Sequence, residues 1–291
     1  LAELPGAGRA EAPSHPVVAT DGRSLFLPAE IRAFPDREAN LRLLEALARF
    51  ESAVIEFDTF AFDLDRALAQ PACRRRFPGA APPEADAGSG SPALSDVERF
   101  WGLFPSPALA AAVFTTVEHG RLLRRLARRY PGLVRRHLPA LREPPPGAPP
   151  PGLLTALYRR LALHPGPEAP EDRGPWESLC RKAWEIVEES LPAEAGVEAG
   201  AEAACRIYGL LEDRPEADAA GWSPPWRLGL RPDAFRTAFH AALQRTEALF
   251  RRLRERGLAV HRGDLLRPLL RGGEALTAEA LQDLLRREGL K

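Results

Sequence analysis

Apolar residues recur at helical spacing along most of the chain. Leu41, Leu44, Leu47 and Ala48, then Ser52 and Ile55, step in threes and fours. They follow Pro35-Asp36-Arg37-Glu38, whose acids suit the first turn of a helix over 37–54. Val97, Phe100, Trp101 and Phe104 make one apolar face. Pro107 then opens a long helix through Leu109, Val113, Val117, Leu122 and Leu126 to about Tyr130, and a short one follows over 133–141. Further amphipathic helices are expected over 153–163, 176–189 and 201–211. Another, over 234–254, would be capped by Asp233, and a last short one starts at Thr277. Two places break the helical period. Residues 17–28 read as two short β segments around Asp21-Gly22. Residues 55–63 alternate apolar and polar, which predicts an extended segment.

Stretches rich in Pro and Gly divide this pattern. Residues 1–16 read as a disordered N-terminus. Residues 17–143 form an N-terminal helical domain with the small β element, interrupted by a flexible linker at 78–94. Residues 144–152 are a semi-rigid Pro-rich linker, and 153–291 form a C-terminal helical region. The fold class is therefore mostly α, a multi-helix bundle with a small N-terminal β element. Trp222 and Trp226 lie with Pro224 and Pro225 in what reads as an ordered loop anchored on the core.

Composition changes this picture mainly by exclusion. Of 291 residues 45% are hydrophobic, enough for a sizeable core. Forty basic residues balance forty acidic ones, so no net charge draws the chain to nucleic acid or an anionic membrane. Cys73, Cys180 and Cys205 are too sparse for a disulfide framework and form no CxxC pair. They read as buried, reduced thiols, which points to a reducing, cytoplasmic setting. No signal-peptide pattern opens the chain, and no apolar run approaches the ~18 residues of a membrane span. The chain holds no methionine and begins at Leu1, which leaves a fragment of a longer protein as one reading.

Catalytic signatures are missing from the sequence. There is no P-loop, no GxGxxG after a strand and no GxSxG elbow. The six histidines never stand as HxH or HxxxH, so no metal, cofactor or enzymatic site is expected. The densest charge feature is a run of arginines: Arg121, Arg124, Arg125, Arg128 and Arg129, continuing to Arg135 and Arg136. It reads either as a solvated helix face or as a patch that docks an acidic protein. Nucleic acid is disfavoured because no aromatic residues are interleaved for base stacking.

Three segments carry a resemblance. The first runs through Asp21-Gly22-Arg23, Leu27-Pro28, Phe34-Pro35-Asp36, Asn40 and Glu56-Phe57-Asp58-Thr59-Phe60. The second is Phe104-Pro105-Ser106-Pro107-Ala108-Leu109-Ala110, with Phe114-Thr115-Thr116-Val117-Glu118-His119-Gly120-Arg121. The third is Arg206-Ile207-Tyr208-Gly209-Leu210-Leu211, and Phe250–Arg254 adds a weaker fourth. The first matches in order and spacing, and together they resemble the helical N-terminal region of NorD/CbbO-type von Willebrand A domain proteins. That resemblance implies a non-enzymatic adaptor that couples a MoxR-type AAA+ ATPase to a client enzyme, for activation or for metal or cofactor insertion. The family's A domain, with its DxSxS motif, would follow the region matched here, and no DxSxS occurs in this chain.

One departure from the family is local. Relatives carry an HQxxH-like stretch that resembles the HExxH helix of metallopeptidases. Here it reads Phe50-Glu51-Ser52-Ala53-Val54, so Glu51 keeps the base position while Phe50 and Val54 replace both histidines. Glu118 would be the third ligand of such a relic. The resemblance then implies a degenerate zincin-like helix pair, with Glu51 and Glu118 facing each other within roughly hydrogen-bond or one-water reach, ~3–6 Å. The carboxylates would be structural or vestigial. Two alternatives stay open: a degenerate metallohydrolase-like domain with residual metal-dependent activity, and a plain helical interaction scaffold.

Overall fold

The computed structural model describes residues 18–79, 94–142, 151–164, 175–192, 194–241 and 244. The expected disordered N-terminus, nearly all of linker 78–94, most of spacer 144–152 and everything expected beyond 244 lie outside these residues. The described chain is mostly helical with one small antiparallel sheet, in which β1 (Ala19–Thr20) pairs with β2 (Leu25–Phe26). Gly22 makes the turn between them with φ 87°, a left-handed conformation that glycine adopts without penalty.

The first half continues with α1 (Arg37–Glu56), α2 (Leu64–Leu68), α3 (Pro71–Arg76), α4 (Asp96–Gly102), α5 (Pro107–Arg129), α6 (Pro131–His137) and α7 (Pro139–Arg142). Next come α8 (Leu153–Tyr158), which runs into a π turn (Arg159–Leu163), then α9 (Glu177–Ser190) and α10 (Val197–Leu211). A final described helix, α11, covers 232–241.

Local chemistry explains where the principal helices begin. The Asp36 carboxylate accepts from the Ala39 amide at 2.7 Å and caps α1. Asn40 then clamps the incoming chain, accepting from the Ala33 and Phe34 amides and donating to the Phe34 carbonyl. Ser95 and Glu98 form a capping box on α4. Ser106 caps α5, with Pro107 as its first residue.

Two local expectations give way. Residues 55–63 are not extended: α1 continues to Glu56, Asp58 turns with φ 56°, and Thr59–Ala61 form a 3-10 turn. The alternating pattern is real in burial, since Phe57 and Thr59 point inward and Asp58 outward, but a turn produces it rather than a strand. Asp233 does not cap its helix either. It lies inside the first turn of α11 and pairs with Arg231.

Helix α5 organises the core. Every residue from Ala112 to Leu123 is buried, the signature of a helix covered on all sides. Its first half, with Val113, Phe114 and Val117, joins a cluster built from α2–α4 and α8–α10. Its second half, with Leu122, Leu123 and Leu126, joins a second cluster built on α1, Leu138, Leu141 and Trp226. Close approach is possible because Gly120 has no side chain. A Cβ there would stand 2.5 Å from the Leu161 carbonyl oxygen, inside the π turn. The residues from both sides of the Pro-rich spacer thus share packing on α5.

Candidate functional site

A small cavity opens where α1, α5, β1 and the 227–234 segment meet. Glu51, Val54, His119, Thr20, Arg227 and Arg231 are among its lining residues. It offers about 20 Å³ for water centres, room for one or two waters. Glu51 enters it from the buried face of α1, where the other buried residues are Leu43, Ala46, Leu47, Phe50, Ala53 and Val54. It is the only charged residue type on that face, and its carboxyl makes no hydrogen bond among the described residues.

His119 faces the same cavity from α5. Its Nδ1 is hydrogen-bonded to the Tyr158 hydroxyl at 2.9 Å, which fixes the ring's orientation. The Phe50 ring packs edge-on against it with centroids 4.9 Å apart. The loop that closes the cavity is held in an unusual shape: Trp226 and Arg227 both have left-handed φ values, 60° and 53°. Such backbone persists only when its surroundings enforce it. Here Trp226 is buried and its ring lies 5.7 Å from that of Phe34. Trp222 also turns inward, donating to the Thr155 hydroxyl at 3.3 Å.

Burial sets the protonation of these groups. It pushes the Glu51 carboxyl up to about 8, against the opposing pull of Arg231. Burial lowers His119 to about 3. It also raises the Tyr158 phenol, with the Glu51 charge adding to the effect. At neutral pH the cavity therefore holds a protonated carboxyl beside a neutral imidazole bonded to a neutral phenol. Among the described residues, no group of three or more His, Cys, Asp or Glu is placed to hold a metal ion.

Glu118 belongs to a different site. Its carboxylate accepts from the Thr59 hydroxyl at 2.5 Å and from Arg121 Nε and Nη2 at 2.7 and 2.6 Å. Arg121 also donates to the carbonyls of Phe57 and Ala195. Burial works against the Arg121 charge, and the Glu118 carboxylate more than offsets it, so the guanidinium stays ionised. Glu51 has no part in this network. Helices α1 and α5 do pack together, but the contact towards Phe50 is made by His119. Phe50 and Val54 are buried, 0% and 2% exposed.

The arginine run is divided in the same way. Arg121 is a core residue, 2% exposed, and so is not part of any docking patch. Arg124, Arg125, Arg128 and Arg129 find partners within the chain. Arg124 lies 2.6 Å from Glu188, off the hydrogen-bonding line, so that contact is electrostatic. Arg125 and Arg128 meet Glu194, and Arg129 meets Glu56. Arg125 also covers the Phe57 ring and Arg129 the Tyr130 ring.

Sequence reasoning did not find His119, Tyr158 or Thr59. The one available signal was position: His119 and Tyr158 each stand among apolar neighbours at helical spacing. No known protein family, curated protein or solved structure matches this chain. No described helix is long and apolar enough to cross a membrane.

Proposed function

We propose that this chain is the helical portion of a non-enzymatic adaptor of the NorD/CbbO type. It would couple a MoxR-type AAA+ ATPase to a client enzyme in the cytoplasm, without binding nucleic acid. The observation that supports this reading is how the resembling segments interlock. Thr59 of the first segment donates to Glu118 of the second, and Arg121 of the second donates to the Phe57 carbonyl of the first. Tyr208 of the third accepts from the Ser106 amide of the second at 3.0 Å. The residues that carry the resemblance are thus mutual supports of one framework, which is what a shared scaffold requires.

The local departure supports the same side. Phe50 and Val54 are packed into the core, and Glu118 is fully engaged by Thr59 and Arg121. A scaffold with this arrangement works by presenting surfaces to partners. The test is to mix the purified chain with a MoxR-type ATPase from the same organism and measure both complex formation and ATP turnover. A stable complex with an altered hydrolysis rate is expected. Absence of a complex together with an unchanged rate would reject the adaptor reading.

A further inference from the structure

Helix α3 lies on α10 through a row of side-chain links. The Ala72 amide donates to the Glu202 carboxylate at 2.6 Å. Arg76 pairs with Glu212, and its guanidinium stacks over the Tyr208 ring at 4.6 Å. Positions 202, 205, 208 and 212 repeat at three and four residues, so they form one stripe of α10 facing α3. In the middle of that stripe Cys73 meets Cys205, with the two sulfurs 2.9 Å apart. Cys73 Sγ also lies 3.5 Å from the Ala201 carbonyl, and both cysteines are buried free thiols.

The separation discriminates among the roles open to a thiol pair. Two thiolates on one tetrahedral zinc, with Zn–S near 2.3 Å, would stand about 3.8 Å apart. At 2.9 Å there is no room for a metal between the sulfurs. A disulfide needs about 2.05 Å, so closure requires a movement of roughly 0.9 Å, within the reach of small side-chain adjustments. The flanking links hold the two helices in register while that happens.

We propose that Cys73 and Cys205 are a redox modification site, converted by hydrogen peroxide into a disulfide that staples α3 to α10. One sulfur, having released its proton, attacks a peroxide oxygen. The O–O bond breaks, hydroxide leaves and is protonated to water, and a sulfenic acid remains. The second sulfur then attacks the sulfenic sulfur and gives its proton to the departing hydroxyl. The S–O bond breaks and a second water leaves. Two thiols lose two electrons and two protons, and one peroxide is reduced to two waters.

The hydrogen bond with Cys205, and then burial, push the Cys73 thiol well above the usual range. Attack on the peroxide therefore waits for local opening of α3, and re-docking through the flanking links restores the register in which the second sulfur closes the bond. Helix α3 has only six residues, the kind of short element that opens without global unfolding. Hydrogen peroxide is close to water in size and needs little space once it does. This inference is independent of the adaptor reading and survives its failure.

The experiment treats the whole chain with hydrogen peroxide under native conditions and follows thiol content and mass. The expected result is a fall from three titratable thiols to one and a loss of about 2 Da, reversed by dithiothreitol, with peptide mapping joining Cys73 to Cys205. The oxidised form should melt roughly 5 °C or more above the reduced one, because the bond closes a loop of more than a hundred residues. Cys180→Ser should leave linkage and melting shift intact, whereas Cys205→Ser should abolish both. Three surviving thiols, separate overoxidation of each sulfur, or a bridge through Cys180 would each overturn the proposal.

Discussion

Thr59 and Glu118 are 59 residues apart in sequence and hydrogen-bonded at 2.5 Å in the interior. Arg121 completes the contact, with its guanidinium on Glu118 and on the Phe57 carbonyl. Removing one member of a buried ion pair strands the charge of the other, at a cost of about 3–5 kcal/mol. Arg121→Ala and Glu118→Ala should each lose that much in urea unfolding. Their double variant should lose less than the sum, since neither charge is left alone. Additive losses would show that the pair is not coupled.

Glu51 should make stability fall as pH rises. Its folded-state carboxyl titrates at about 8 against an ordinary 4.5, so between these values the unfolded chain has lost a proton that the folded chain keeps. The contribution is complete below pH 4.5 and is lost by about pH 8, with a slope near 1.4 kcal/mol per pH unit. His119 acts in the opposite sense. Its folded value of about 3 lies below the ordinary 6.5, so its contribution grows as pH rises from about 3 to 6.5. The two slopes cancel between about 4.5 and 6.5. Unfolding free energies of the parent and Glu51→Gln, taken from pH 4 to 9, isolate the first group. Their difference should fall across that range, and a constant difference would contradict the buried, protonated carboxyl.

Gly120→Ala should destabilise. Alanine in place of glycine ordinarily favours a helix by up to about 1 kcal/mol. Here the added Cβ would press on the Leu161 carbonyl at 2.5 Å, so backbone must move. Overpacking of this kind costs roughly 1–3 kcal/mol, and the net change should be a lower melting temperature. A rise in melting temperature would mean that α5 and the π turn can separate without loss.

Arg128→Ala should barely change stability, and Arg125→Ala should cost somewhat more because Arg125 also covers the Phe57 ring. Both pair with Glu194, whose side chain is 78% exposed, and solvent screening limits such pairs to less than ~1 kcal/mol. If either variant weakens the complex with a MoxR-type ATPase while its denaturation curve is unchanged, the loss is one of recognition. Equal binding by both variants and the parent would remove these arginines from the docking surface.

Where the sequence could be read, capping chemistry and period made it legible. Asp36 and Pro107 mark the starts of α1 and α5, and the apolar steps in between give their lengths to within two residues. Residues 55–63 misled because a turn can bury every second side chain as a strand does. The left-handed φ of Asp58 that makes the turn leaves no mark in composition. The arginine run misled differently. Helical periodicity cannot tell a solvated face from one covered by another helix, and Arg121 is covered. The cavity was not legible because Glu51, His119 and Tyr158 come from three separate helices. Only tertiary packing decides that His119, and not its neighbour Glu118, turns towards α1.

The docking of α3 on α10 has a consequence during synthesis. Ala72 and its partner Glu202 are 130 residues apart. At roughly 5–20 residues per second, a ribosome takes roughly 6–26 seconds to deliver the second after the first. Throughout that interval the surface of α3 that α10 will cover has no partner. Ala72 and Cys73 therefore stay without the α10 surface that will cover them until Glu202 and Cys205 have been made.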